Sequence, residues 1–440
     1  YEILRSDWSS DVCSPIYICI ISWYRLISNK LSVDREYNKY LTEARNYADI
    51  NVTKYAVENY SKALSVKSSV DLYEEVADYY SRQENSYDAW LAWCEKFIEQ
   101  YPKSSEAYDC ILQNYMSVKD YANCYSILDI ADKRNVSSDY IAALKSEIEY
   151  KYRIDMNSYD DVSVYGNNFC AVKVNNNWGY VDRYGNNKVQ KKYSEADVFS
   201  GANCAAVVDK NGDAYFIDKT GEKVKATNEK YKKFGILING IMLAQNENGK
   251  YSYLDEDFKV LFGDYDNATA INGDIGAVKS GSKWTIINKK GEKIGSAEYD
   301  DVIIDEKNIA CRNERLFVKK DSGYIMIDTS GKQIGSDIYE DARLFSDDTY
   351  AAVKQGGKWF YVDKEGKKHS DKTYNAARSY MNGMAAVMID GKWGFVDSNE
   401  DIKIEPTYYG AKDFNEKGSC FVKVGDKWQL LKLYRLNRED

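Results

Sequence analysis

The chain has 440 residues, 44% of them hydrophobic and 29% charged, enough to fold two or three domains with buried cores. A net charge of -9 and a pI near 5.1 exclude the basic surface that nonspecific nucleic-acid binding requires, so no nucleic acid is expected as a partner. The single histidine, His369, excludes multi-histidine metal sites and most histidine-based catalysis; beside Lys367 and Lys368 it reads as a solvated turn residue.

At the start of the chain, Asp7-Trp8-Ser9-Ser10-Asp11-Val12-Cys13-Ser14 resembles the conceptual translation of a sequencing adapter, and residues 1–15 are read as a sequence artefact. Ile16 to Tyr24 follows, an apolar-to-aromatic run of nine residues, too short for the roughly 20 that span a bilayer. Trp23, Tyr24 and Arg25 have the composition of the interfacial end of a membrane helix. Residues 16–31 are therefore read as a truncated single-pass anchor and linker, with a short buried segment as the other reading.

From Val33 to Tyr152 there is one proline, Pro102, and no glycine, which points to helices rather than turn-rich strands. Tyr55, Ala56, Tyr60, Ala63 and Leu64 recur at helical spacing. Ala56, Ala89 and Ala122 are each 33 residues apart, close to the period of stacked helix pairs. Asp88 and Ser104 are placed to cap helices. Ala56 to Leu64 resembles the second helix of a tetratricopeptide (TPR) unit, and Pro102 to Tyr108 followed by Asp120-Tyr121-Ala122 resembles a junction and the next pair. Residues 32–152 are thus expected to form a TPR-like helical domain, its aromatics packed between helices.

Residues 155–440 repeat plainly. Trp178, Trp284, Trp359, Trp393 and Trp428 open similar segments, and Ala214, Tyr251 and Tyr324 fill the same slot in three others. The eight slots are 36, 37, 33, 40, 35, 34 and 35 residues apart, so the array holds eight supersecondary units. In one unit, Ala351 to Lys354, the connection Gln355-Gly356-Gly357-Lys358 and Trp359 to Asp363 read as two strands joined by a tight turn. The residue three after the slot is aliphatic in every unit, from Val181 to Leu431, and the residue two after it is large and apolar, from Tyr180 to Leu430. Both faces of this strand are therefore expected to be covered.

The strand ends in Asp-x-x-Gly: Asp182 with Gly185, Asp218 with Gly221, Asp328 with Gly331 and Asp363 with Gly366, while Asn288 and Gly291 do the same. Asp or Asn here accepts from backbone amides ahead of it, and Gly takes the positive φ. A Tyr-led segment follows, as in Tyr299-Asp300-Asp301, Tyr339-Glu340-Asp341-Ala342 and Tyr374-Asn375-Ala376-Ala377. This pattern resembles the WG repeat family of bacteria over about 280 residues, although Gly follows the slot tryptophan only at Gly179 and Gly394. The last unit lacks the Asp and Gly and suits a terminal cap. Hairpins of this length must bury their apolar faces on neighbours, so the fold class is a TPR-like α-helical array followed by an all-β array. A propeller-like ring protects strand edges and is the first expectation; an open β-superhelix is the alternative. Burial of the Trp393 ring would make its removal costly, at roughly 3–5 kcal/mol.

No catalytic constellation stands out. Nine cysteines form no C-x-x-C; Cys170, Cys204, Cys311 and Cys420 read as small apolar core residues, and nothing argues for a disulfide. Asp209-Lys210-Asn211-Gly212-Asp213 lacks the further ligands of a calcium loop and reads as a hairpin turn. Asp300-Asp301 and Asp347-Asp348 recur at one repeat phase, as solvated turns do. No cofactor, metal or catalytic residue is therefore assigned. The expected function is a non-enzymatic binding or scaffold protein with a protein or glycan partner, membrane-anchored and extracytoplasmic in a bacterial cell envelope, with a cytoplasmic location as the alternative. The competing reading is a propeller-type glycoside hydrolase or lyase, marked by carboxylates converging in one deep pocket from non-equivalent repeat positions.

Overall fold

The computed structural model describes residues 13–346 and 349–436, with side chains from residue 19 onward; Asp7–Val12, Asp347–Asp348 and Asp440 lie outside the described residues. The chain divides into two compact units, Tyr1–Glu149 and Tyr150–Asp440.

The first unit is helical among its described residues: α1 (Cys13–Asp49), α2 (Thr53–Val66), α3 (Val70–Ser81), α4 (Tyr87–Gln100), α5 (Ser105–Ser117), α6 (Tyr121–Arg134) and α7 (Asp139–Ile148). Each of α2 to α7 buries one stripe, which is how an amphipathic helix gains its stability. The buried positions repeat every 34 residues: Ala56, Trp90 and Cys124; Tyr60, Cys94 and Leu128; Ala63, Phe97 and Ala131. The interval of 33 drawn through Ala56, Ala89 and Ala122 is one residue short, and Ala89 and Ala122 are exposed. Side-chain caps come from Ser69, Asp120 and Ser138, which accept from the amides of Leu72, Asn123 and Ile141. Asp88 instead lies inside the first turn of α4, and Ser104 turns its hydroxyl onto Glu106. A disulfide joins Cys94 on α4 to Cys110 on α5, a pairing the cysteine spacing did not reveal.

The second unit is an eight-bladed β-propeller. Eight antiparallel sheets follow one another, six with four strands and two with three. In blade 1 the strands run outward from the axis as Asp161–Val162, Phe169–Val174, Asn177–Asp182 and Asn187–Tyr193. Blades 2 to 7 occupy 195–225, 231–265, 267–288, 301–339, 341–362 and 376–408. Blade 8 takes its inner three strands from Gly410–Ala411, Ser419–Val424 and Lys427–Leu433, and its outer strand from Tyr152–Tyr159. The last repeat is therefore no cap: the first β-strand, which lies across the boundary drawn from sequence between residues 152 and 155, pairs with it and closes the ring. Blade 8 thereby gains the fourth strand that its complete neighbours have.

Eight apolar clusters lie between successive blades. In each, the residue two after the slot of one blade meets the residue three after the slot of the next: Tyr180 with Ile217, Phe216 with Leu254, Tyr253 with Ile287, Ile286 with Ile327. Met326 with Val362, Tyr361 with Val396, Phe395 with Leu431 and Leu430 with Val181 complete the circle. All sixteen of these side chains are buried. The slot residue itself sits further out. Trp284 and Trp359 are buried, but Trp178, Trp393 and Trp428 are half-buried, each opposite a tyrosine on the outer strand. The deepest packing therefore belongs to the aliphatic and aromatic residues that follow the tryptophan.

Glycine after tryptophan has a steric cause. The outer strand bulges beside it, and a Cβ at Gly179 would stand 2.6 Å from the Val189 carbonyl oxygen; at Gly394 it would stand 2.5 Å from that of Ile404.

Candidate functional site

The repeat signature residues are placed on the third strands and at the turns that follow them rather than at the axis. Asp182, Asp218, Asn288, Asp328 and Asp363 each accept, through Oδ1, from the amides two and four residues ahead. Gly185, Gly221, Gly291, Gly331 and Gly366 all hold positive φ there. Asp209 makes the same turn through Asn211 and Asp213. Ala214, Tyr251 and Tyr324 occupy the slot in blades 2, 3 and 5, at or near the start of the third strand. His369 differs from its expected solvated state. Its ring lies 4.0 Å from that of Tyr350, and its Nε2 is 2.9 Å from the Ser398 carbonyl oxygen, so it is wedged between blades 6 and 7. Cys170, Cys204, Cys311 and Cys420 are buried, and burial pushes the thiols of Cys170 and Cys311 up, to about 12 and about 11.

The repeat breaks its own symmetry at the axis. In every blade, the residue directly after the inner strand donates its amide to the second strand, which makes these eight positions equivalent. Blades 1 to 5 place Ser163, Asp197, Gly235, Thr269 and Ile303 there; blades 6 to 8 place Arg343, Arg378 and Lys412. Beyond this position the loops of blades 2 to 5 bring Val198, Ile236, Ala270 and Ile309 together in an apolar plug, with Val164 of blade 1 against it. The Asn308 amide group binds the Ala268 carbonyl and ties the plug between blades 4 and 5.

Where the plug ends, a cavity of about 340 Å³ opens between the loops of blades 5, 6, 7, 8 and 1. Most of its charges form two closed sets, and the exposed Glu416 at the rim stands outside both. Arg312 donates through Nε and Nη2 to Asp305 Oδ2 at 2.9 and 2.7 Å. Arg378 grips Asp413 at 2.6 and 3.0 Å and Glu306 at 3.1 and 3.3 Å, and Lys412 adds a third donor to Glu306 at 2.8 Å. Burial pushes the Glu306 carboxyl up, but the charges and hydrogen bonds of Arg378 and Lys412 outweigh it and hold the group down at about 2. Burial likewise opposes the Arg378 charge, and Asp413 and Glu306 overcome it.

Two cations of the same cavity have no such partner. Lys307 is half-buried, and Arg343 stands at the rim over the Trp359 ring, 5.7 Å from its centroid. Among the described residues neither makes an ion pair. Burial, with the nearby charge of Arg312, lowers the Lys307 ammonium. Two buried polar atoms of lining residues, Tyr165 Oη and Asn415 Nδ2, also have no hydrogen-bond partner among the described residues.

A second cavity of about 240 Å³ lies between blades 2 and 3, lined by Asp197, Glu195 and Lys233 among others. Burial raises the Asp197 carboxyl to about 6, although its Oδ1 accepts from the Val198 amide at 2.7 Å. Among the described residues no group of three or more His, Cys, Asp or Glu is arranged to hold a metal ion. The axial cations and orphaned groups were missed because no single motif carries them. The signal was there in the Tyr-led segment, where Ala342, Ala377 and Ala411 are each followed by a basic residue in the last three units alone.

Five segments match one family model. It is described as the WG containing repeat, and it covers residues 158–178, 178–212, 326–359, 359–393 and 393–428. All five segments end or begin on a slot tryptophan, so the sequence unit starts in the third strand of one blade and ends in the next. No curated protein matches the chain. Among solved structures, one similar chain is a catalytically inactive virginiamycin B lyase from Staphylococcus aureus, at 13% identity and a TM-score of 0.33, covering 64% of this chain and 99% of that one. Another is described as the eukaryotic initiation factor, at 10% identity and a TM-score of 0.42, covering 66% of this chain and 87% of that one.

Proposed function

We propose that this chain is a non-enzymatic binding or scaffold protein whose propeller takes its partner at the axial end formed by blades 5 to 8. The observation that carries this reading is the charge arrangement there. Asp305, Glu306 and Asp413 converge in one cavity, as a hydrolase would require, but each is engaged by a guanidinium or ammonium group. A glycosidase acid must keep its proton near neutral pH, and Glu306 holds its own only near 2. Carboxylates fixed in this way shape a surface for recognition.

The helical unit, with its buried positions 34 residues apart, supports a TPR-like reading and a second binding surface. The Cys94–Cys110 disulfide supports an oxidising compartment, and hence a location outside the cytoplasm, in a bacterial envelope if the repeat resemblance extends to origin. Trp23, Tyr24, Leu26 and Ile27 are exposed along α1, which supports attachment at a membrane through the segment that precedes them. No described helix is long and apolar enough to cross a membrane.

The test is affinity capture with the full chain from bacterial envelope and cytosolic fractions. Specific capture of an envelope protein or glycan supports the reading; capture of cytosolic proteins alone defeats the envelope assignment. The hydrolase or lyase alternative draws on Asp197, whose raised carboxyl could donate a proton. It would be upheld by glycan cleavage that Asp197→Asn abolishes.

A further inference from the structure

We infer that the axial cavity is a site for a small organic anion rich in hydrogen-bond acceptors, held by Lys307 and Arg343 and met by Tyr165 Oη and Asn415 Nδ2. Its volume of about 340 Å³ lies at the lower end of the range for small-molecule sites.

Three independent features specify the ligand's chemistry. The first is charge left over. Glu306 and Asp413 are used by Arg378 and Lys412, and Asp305 by Arg312; of the described lining carboxylates only the exposed Glu416 stays outside an ion pair, so Lys307 and Arg343 exceed it by one positive charge. An ammonium drawn out of water without a counterion is costly, and an entering anion removes that cost. The second is the pair of orphaned groups. Buried polar atoms are nearly always paired, and an unpaired one implies something not yet bound. Asn415 Oδ1 already accepts from the amides of Lys417 and Ser419, so the orphaned end is the NH₂, a donor. The Tyr165 hydroxyl, with its ring stacked on Phe421, can donate as well. Every unsatisfied group in the cavity can therefore present a proton, and none demands a donor from the ligand.

The third feature is shape. The apolar plug fills the axis only across blades 1 to 5. At the equivalent position blade 6 places Leu344, which packs into the cluster between blades 5 and 6 instead, and blades 7 and 8 place Ser379 and Asp413; the buried Leu344, Phe345 and Phe414 line the cavity wall. The opening is thus built on one side of the axis, against Phe345 and Phe414 and beside two cations outside any described ion pair. Either a carboxylate or a phosphate supplies the chemistry, and the two sources differ in the probes that report them.

This inference rests on the binding reading and can fail separately from it. Thermal melting of the full chain would be followed with citrate, with inorganic phosphate and with glucose as the neutral control. We expect a saturable rise in Tm with citrate or phosphate and none with glucose. Arg343→Ala should weaken the effect about tenfold or more. Lys307→Met combined with it should abolish the effect. Tyr165→Phe should weaken anion binding several-fold while leaving the Tm of the free protein unchanged or higher, because it removes an unpaired hydroxyl. That last variant folds whatever the fate of the lysine replacement. No saturable rise with either anion would overturn the inference, as would a rise that persists in the double variant. Affinity capture of a partner by a chain that shows no saturable rise with either anion would leave the scaffold reading standing and sink this one.

Discussion

The Tyr361 hydroxyl donates to the Arg378 carbonyl oxygen at 3.1 Å, a bond that crosses from blade 6 to blade 7. Tyr180 does the same to Asp197 and Tyr253 to Thr269, each at 2.7 Å. In all three, the donor lies two residues after the slot and the acceptor is the axial residue of the next blade. The ring is thereby latched at the level of its functional end. Removing the hydroxyl while keeping the ring isolates the bond. Tyr361→Phe is expected to cost about 1–2 kcal/mol in urea unfolding and to leave the apolar cluster intact. An unchanged midpoint would show that the bond contributes nothing to closure.

Gly394 makes a sharper demand. Its Cβ would fall 2.5 Å from the Ile404 carbonyl oxygen and 2.7 Å from the Pro406 nitrogen, both rigid backbone atoms of the bulged outer strand. Gly394→Ala is therefore expected to cost about 1–3 kcal/mol, as overpacking does in a filled core. Ile325 and Phe360 occupy the corresponding position in blades 5 and 6, where the same substitution by alanine creates space instead. A Gly394→Ala variant as stable as the parent would mean that the outer strand yields freely.

Asp197 predicts a pH dependence. Its carboxyl is raised by burial from 3.8 to about 6, so the native state binds this proton more tightly than the unfolded chain does. Stability from this group is full below about pH 4 and is lost as pH rises through about 6, at a cost of at most about 3 kcal/mol. Asp197→Asn should raise the urea midpoint at about pH 8 and flatten the decline between about pH 4 and 6. Identical pH profiles for variant and parent would place the carboxylate in water.

Much of this fold could be read from residue order because one physical requirement recurs eight times. The residues two and three after each slot must both be apolar, since each blade is sandwiched between two others; Tyr180 and Val181 already state that rule, and Leu430 and Leu431 repeat it at the far end. What the rule does not contain stayed hidden. Tyr152–Tyr159 carries no slot residue, so nothing local marks it as the strand that completes blade 8. Cys94 and Cys110 are 16 residues apart on different helices, a separation that only the packing of α4 on α5 converts into contact. Asp305, Arg312, Arg378 and Asp413 come from three blades, and no linear pattern predicts which pairs meet.

The disulfide gives the helical unit its own test. A cross-link over a separation of 16 restricts the unfolded chain by about 3 kcal/mol in the loop-entropy account. Reduction, or Cys94→Ala with Cys110→Ala, should lower the Tm of the helical transition and leave the propeller transition in place. A melting curve insensitive to reductant would show that the two thiols do not pair in solution.

Trp393 and Phe395 separate the signature of the repeat from its foundation. Sequence alone points to the tryptophan as the buried anchor, and a loss of roughly 3–5 kcal/mol follows for a fully buried ring. Trp393 is instead half-buried on the third strand, opposite Tyr408 of the outer strand, whereas Phe395 is buried between blades 7 and 8 with Phe414 and Leu431. Burial sets the cost, so Phe395→Ala should lose about 4 kcal/mol and Trp393→Ala only about 2. Urea denaturation of the two variants decides the order. If the tryptophan proves the more costly, the outer strand and not the blade interface carries the stability, and the latch described for Tyr361 would matter less than the bulge beside Gly394.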